Sequence, residues 1–199
     1  MSQHPHAVLV LGDQLSLNSP VLQQAKSQPG TVVFMVESVA ESKVVWVHKA
    51  RIALFLSAMR HFAHTLRAHG FTVVYSSLAE TGPIGLVERV AQLCTQYGVK
   101  SLAVVEPGEW RIEQDLLAWS KSSGLPLQLL EDPHFMCSKA EFAKWSAQYK
   151  QMRMEYFYRE MRKKHAVLMQ GTEPVGGQWN YDADNRGSFP KAGPGLIAD

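Results

Sequence analysis

The stretch AVLVLGDQL, residues 7–15, runs five apolar residues straight into a glycine and an aspartate. Five residues suit one strand, and a strand that is apolar throughout has neither face in water, as in the centre of a parallel sheet. Four more runs of similar length follow: TVVFMV (31–36), FTVVYS (71–76), SLAVVE (101–106) and LPLQLL (125–130). Several of these are also apolar on both faces.

Helical patterns fill the gaps. Ser19 to Lys26 is short, and Ser19-Pro20 suits an N-cap with proline at the first helical position. Val44 to His69 is long, with Gly70 placed as a C-terminal stop. Pro83 to Tyr97 ends before Gly98, and Trp110 to Ser123 ends before Gly124. Strict alternation of strand and helix predicts an α/β fold: a doubly wound, five-stranded parallel sheet, Rossmann-like, in the order 3-2-1-4-5 with flanking helices. After the fifth strand the character changes. Ser138 to Tyr149 reads as a helix with Ser138 and Glu141 spaced as a capping box. Gln151 to Met169 is a second helix, and from Gly171 helical periodicity is lost.

Bulk composition narrows the class. A chain of 199 residues with 46% hydrophobic content suits one well-buried domain. A net charge of +2, with both signs spread along the chain, does not mark a nucleic-acid coat or a membrane-surface protein. Two cysteines, Cys94 and Cys137, are too few for a closed zinc site or a typical iron–sulfur cluster. Without a disulfide framework or a secretory leader pattern in MSQHPHAVLVLGDQ, a cytoplasmic location is expected. Charged residues interrupt the apolar region Val44 to Leu66, so it is not read as a membrane span.

Open parallel sheets bind ligands beyond the carboxyl ends of their strands, where strand order reverses. In the order 3-2-1-4-5 that point lies between strands one and four. The residues that follow the strands are therefore candidates: Leu11, Gly12, Asp13, Gln14 and Leu15 after the first, Val36, Glu37 and Glu41 around the end of the second, and Glu106 after the fourth. Gly12 would permit close approach of a ligand, and the acids and Gln14 offer hydrogen-bonding groups. Neither G-x-G-x-x-G nor a G-x-x-x-x-G-K-[ST] loop is present, which disfavours dinucleotides and triphosphates. A neutral, hydroxyl-rich heterocycle fits better.

Each candidate has a plain alternative. Asp13 could cap a turn, and Glu106 and Glu109 could pair with Arg111. Acid–base work by Glu106 and Glu109 has no accompanying nucleophile or metal set. His61 and His64 form an i, i+3 pair without an evident third ligand. On the helix around 154–164, Tyr156, Phe157 and Met161 make an apolar stripe with Arg159, Arg162 and Lys163 outward. That pattern suits packing, or docking of a partner protein or a phosphate backbone through the basic helix 150–165.

Five ordered segments carry a resemblance: LVLGDQL (9–15), the run from Glu41 to Gly70, EPGEWR (106–111), MEYFYREMRKK (154–164) and PVGGQWNYDADNR (174–186). Together they resemble the N-terminal region of the iron–sulfur bacterial cryptochromes and prokaryotic (6-4) photolyases, the deoxyribodipyrimidine photolyase-related proteins. The resemblance implies a photolyase-type α/β antenna domain over 1–170 that binds 6,7-dimethyl-8-ribityllumazine, with Asp13 and Glu41 as chromophore-binding acids and Glu37 as a further acid. Val36 stands where some members have cysteine. It implies that 171–199 is an interdomain linker, with Gly176 and Gly177 turning the chain and Trp179, Tyr181 and Asn185 anchoring a loosely packed segment. FAD, the [4Fe–4S] cluster and the DNA-lesion pocket would lie in a following helical domain, which with DNA would be the partner. The chain is expected to stop short of that domain. No catalytic and no metal-ligating residue is assigned within it.

Overall fold

The computed structural model describes residues 4–182, 187–191, 193 and 195. They fall into two compact units, Met1–His134 and Phe135–Asp199. Residues 135–170, which the sequence reading attaches to the α/β domain, thus belong to the second unit. Among the described residues no helix is long and apolar enough to cross a membrane.

In the first unit the strands are β1 (His6–Leu9), β2 (Val32–Val36), β3 (Thr72–Ser76), β4 (Ser101–Val105) and β5 (Leu127–Leu130). They form one sheet in the order β3-β2-β1-β4-β5, and every pairing is parallel. The expected fold and strand order are both present. Side chains alternate across a strand, and this splits the core in two. Ala7, Leu9 and Leu11, with Phe34 and Val104, face a layer containing Val90, Leu93 and Leu116. Val8 and Val10, with Met35 and Val105, face one containing Leu22, Met59, Ala63 and Leu66. Burial on both faces is why these strands read as unbroken apolar runs.

The helices of this unit are α1 (Pro20–Ser27), α2 (Val39–Val44), α3 (Lys49–Ala68), α4 (Leu78–Thr81), α5 (Leu86–Tyr97) and α6 (Trp110–Ser123). The helix expected over Val44 to His69 is interrupted at its start. Val45 is extended, and His48 caps α3 by accepting the Ala50 N–H on Nδ1 at 3.2 Å. The β-branched run Val44-Val45 before Trp46-Val47 favours extended backbone over helix. Likewise Pro83 does not begin α5; Gly85 precedes it, and α5 closes on Gly98 at φ 67.

The second unit holds α7 (Lys139–Ser146), α8 (Met154–Lys164) and a two-strand hairpin, β6 (Met169–Gln170) and β7 (Glu173–Pro174). The capping box is real: Ser138 Oγ accepts the Glu141 N–H and the Glu141 carboxylate accepts the Ser138 N–H, both at 3.2 Å. Phe142, Trp145 and Phe157 pack rings between the helices. Arg162, expected to lean outward, is buried. Its guanidinium donates to the carbonyls of Val167 and Leu168, holding the turn in which Ala166 and Leu168 adopt φ of 53° and 52°. Trp179 lies within 5.3–5.6 Å of Arg159, Arg162 and Lys163. Pro174 is buried and Trp179 half-buried, while the other described residues of 173–182 are exposed. Asn185 lies outside the described residues.

Candidate functional site

Because β1 and β4 are neighbours whose connections leave on opposite sides, their carboxyl ends cannot be covered by either crossover. A cavity of about 370 Å³ opens there. Its floor is Leu11, Gly12 and Asp13 after β1. One side is Val36, Glu37, Ser38, Glu41 and Ser42 from β2 into α2, and the other is Pro107, Gly108, Glu109 and Ile112 from β4 into α6. Phe55, Leu56 and Met59 of α3 and Leu86 of α5 add apolar wall, and Arg51 completes the rim. A shallower lobe of about 270 Å³ shares Glu41, Ser42, Arg51, Phe55, Leu56 and Glu109 and adds Val47 and Ile52.

Six of the nine residues singled out from sequence line the main cavity: Leu11, Gly12, Asp13, Val36, Glu37 and Glu41. Gln14, Leu15 and Glu106 are not among its lining residues. Gln14 turns to β4, donating from Nε2 to the carbonyls of Val105 and Glu106 at 3.1 and 3.2 Å. Its Oε1 is buried without a partner among the described residues. Leu15 packs against the core layer formed by Val8, Val10 and Leu22. Gly12 is explained by its neighbours: a Cβ there would sit 2.7 Å from Phe55 Cε1 and 2.9 Å from Met59 Sδ. The close approach it permits is that of α3.

The three acids differ in what they have free. Glu37 is fully buried, and all its hydrogen-bonding capacity faces protein. Arg60 donates from Nε and Nη2 at 2.6 and 3.0 Å, the Tyr75 hydroxyl donates at 2.5 Å and the Leu78 N–H at 2.8 Å. Burial alone would raise its pKa. The bonds from Arg60, Tyr75 and Leu78, with the Arg60 charge, outweigh burial and hold it below the ordinary carboxylate value. Burial, followed by the Glu37 carboxylate, pushes the Tyr75 hydroxyl well up, so it stays a donor. Glu41 is paired with Arg111, which also contacts Glu109 at 3.0 Å and Asp115 at 3.6 Å. Asp13 is exposed at the cavity floor with no partner among the described residues. Of the other candidates, His61 and His64 are exposed on α3. The Cys94 thiol is buried and pushed up to about 12 by that burial, which leaves it inert.

Arg111, Arg51 and the α3 residues Phe55 and Met59 were not legible as site residues. Arg111 stands inside EPGEWR, but only the sheet order brings it opposite Glu41, 70 residues earlier. Phe55 and Met59 are one turn apart in a helix whose register toward the sheet no motif announces.

The chain matches the family described as deoxyribodipyrimidine photo-lyase-related protein over residues 8–196. It is 40% identical over 180 residues to a (6-4) photolyase of Agrobacterium fabrum, an alignment taking 90% of this chain and 35% of that protein. It therefore spans little more than a third of that relative's length. It is also 28% identical over 139 residues to an uncharacterized protein of Acanthamoeba polyphaga mimivirus, covering 67% of this chain and 68% of that one.

Proposed function

We propose, because this chain belongs to the deoxyribodipyrimidine photo-lyase-related protein family, that the cavity at the carboxyl ends of β1, β2 and β4 holds a light-harvesting chromophore of the 6,7-dimethyl-8-ribityllumazine class. The observation that carries this reading is the cavity itself: about 370 Å³, largely apolar on its α3, α5 and α6 walls, with the Asp13 carboxylate, unpartnered among the described residues, at its floor. That size and lining suit a flat heterocycle gripped on its faces and fixed by a few polar groups at its edge. The surrounding acids, and the lack of a phosphate-binding loop, favour a neutral polyol tail over a phosphorylated one. Asp13 would accept from a ring N–H or a ribityl hydroxyl. Leu11, Val36, Met59 and Ile112 would exclude water from the ring.

When bound, the lumazine supplies absorption in the near-UV and blue. The chain's contribution is to bind it, orient it and keep its surroundings dry, so that excitation can pass to a flavin held by a partner domain. The matched segment is 35% of the Agrobacterium relative, so lesion repair is not proposed for these residues alone.

Mixing the chain with 6,7-dimethyl-8-ribityllumazine and separating free from bound by gel filtration tests the reading. Co-elution of the chromophore with the wild type is expected, and Asp13→Asn should weaken binding about tenfold, the loss of one charge-assisted hydrogen bond. A wild type that elutes free of chromophore from excess lumazine overturns it.

A further inference from the structure

One ion pair crosses the crevice. Glu41 belongs to α2, which follows β2; Arg111 belongs to α6, which follows β4. In the sheet, β1 lies between those strands. The bond from the Arg111 guanidinium to both carboxylate oxygens of Glu41 therefore bridges the segments that follow β2 and β4, on either side of β1, at the edge of the cavity that Glu41 and Glu109 line. It also occupies the acid that the cavity would otherwise offer. Arg111 has other partners already in place: Glu109 accepts from its Nε at 3.0 Å, and Asp115 lies one turn along α6 at 3.6 Å. Glu41 has no second cation within ion-pairing distance among the described residues.

We propose that the Glu41–Arg111 pair is a latch over the cavity, which opens when Arg111 retreats onto Glu109 and Asp115 and leaves Glu41 to accept a hydrogen bond from the ligand. This rests on the chromophore reading of the cavity. The asymmetry of partners makes the exchange feasible. On opening, Arg111 keeps two carboxylates and loses little, while Glu41 is left without a cation until a donor group of the ligand replaces it. Ligand and Arg111 thus compete for one carboxylate. The competent state is only a fraction of the free protein, and apparent affinity is reduced by that fraction. Both side chains are partly exposed, so the latch is weak, salt-sensitive and quick to exchange.

The test is stopped-flow fluorescence of 6,7-dimethyl-8-ribityllumazine with the wild type, Arg111→Gln and Glu41→Gln. Arg111→Gln should associate about two- to fivefold faster, the range a partly exposed ion pair supports. Its dissociation should be unchanged and its affinity tighter by the same factor. Glu41→Gln should also associate faster but bind more weakly, having lost both the latch and the acceptor. Added salt should speed association in the wild type and not in Arg111→Gln. Slower or unchanged association in Arg111→Gln would mean that Arg111 is a ligand contact or a bystander, and overturns the latch. A ligand-free readout separates this from the chromophore reading. Hydrogen–deuterium exchange over residues 38–48 should quicken in Arg111→Gln if the pair holds α2 down, and equal exchange overturns the latch even where lumazine binds well. If the wild type binds no lumazine, the chromophore reading falls, and the exchange measurement alone then decides whether the pair closes.

Discussion

At the scale of single residues, neighbouring positions in one motif do unlike things. Gly12, Asp13, Gln14 and Leu15 are consecutive, yet Gly12 makes room for α3, Asp13 faces the cavity, Gln14 ties the loop to β4 and Leu15 joins the core. Sequence alone located the loop. Which of its side chains face a ligand is set by a turn whose orientation depends on partners about 90 residues away. Glu37 makes the same point. Its place at the end of β2 was legible, but its partners Arg60 and Tyr75 come from α3 and β3. Its role is structural: it is a buried carboxylate that draws four donors together. Glu37→Gln, which removes the charge and sets an amide against Arg60, should cost about 2 kcal/mol of unfolding free energy in chemical denaturation.

The same residue predicts a pH dependence. Its folded pKa lies below its ordinary value of 4.5. The unfolded chain therefore takes up a proton before the folded one does, and stability falls as pH drops. Glu37's contribution is complete above the ordinary carboxylate range and fades as pH falls through the lowered folded value. The melting temperature of the wild type should thus drop more steeply between about pH 5 and about pH 3 than that of Glu37→Gln. Parallel slopes would show that the carboxylate is not held ionised by its neighbours.

At the scale of elements, the five strands and their order were readable because burial on both faces leaves a continuous apolar signature. Helix ends with a chemical marker were also readable: Gly98 after α5, Gly124 after α6, and Ser138 with Glu141 at α7. Boundaries without a marker were misplaced. The break at 45–48 is not flagged by glycine or proline; it follows from a β-branched run and a histidine cap. That break sets α2, whose Glu41 and Ser42 line the cavity, apart from α3 as a separate short helix. Gly98, at φ 67, donates its N–H to the Cys94 and Thr95 carbonyls. Gly98→Ala should destabilise the first unit by about 1 kcal/mol, the cost of a side chain in left-handed backbone. Thermal unfolding followed by circular dichroism checks this, and an unchanged midpoint would mean that the turn relaxes out of that conformation.

At the scale of the molecule, a change of character after the fifth strand is legible in the sequence, but the boundary set there at residue 170 differs from the division at His134 and Phe135. α7 and α8 are ordinary amphipathic helices by pattern, and amphipathicity does not say which apolar surface a helix will cover. The segment from Glu173 onward is expected to pack loosely, and its described residues up to 182 are exposed apart from Pro174 and Trp179. In the structure β6 pairs with β7, and Trp179 lies beside the cations of α8. The first unit contains both core layers and every residue lining the cavity. Residues 1–134 expressed alone should therefore fold cooperatively and bind lumazine with the affinity of the full chain. A fragment that is unfolded by circular dichroism would refute its independence.

If the crevice between β1 and β4 is a chromophore site, filling it must block binding. Ile112 lines the cavity from α6 and is only partly buried, so Ile112→Trp can project a large ring into the space without displacing the core. Fluorescence-anisotropy titration of 6,7-dimethyl-8-ribityllumazine should show saturable binding to the wild type and at least tenfold weaker binding to Ile112→Trp, with the far-UV circular dichroism of the two proteins alike. Equal affinity for the two proteins would place the chromophore elsewhere and refute the assignment of this crevice.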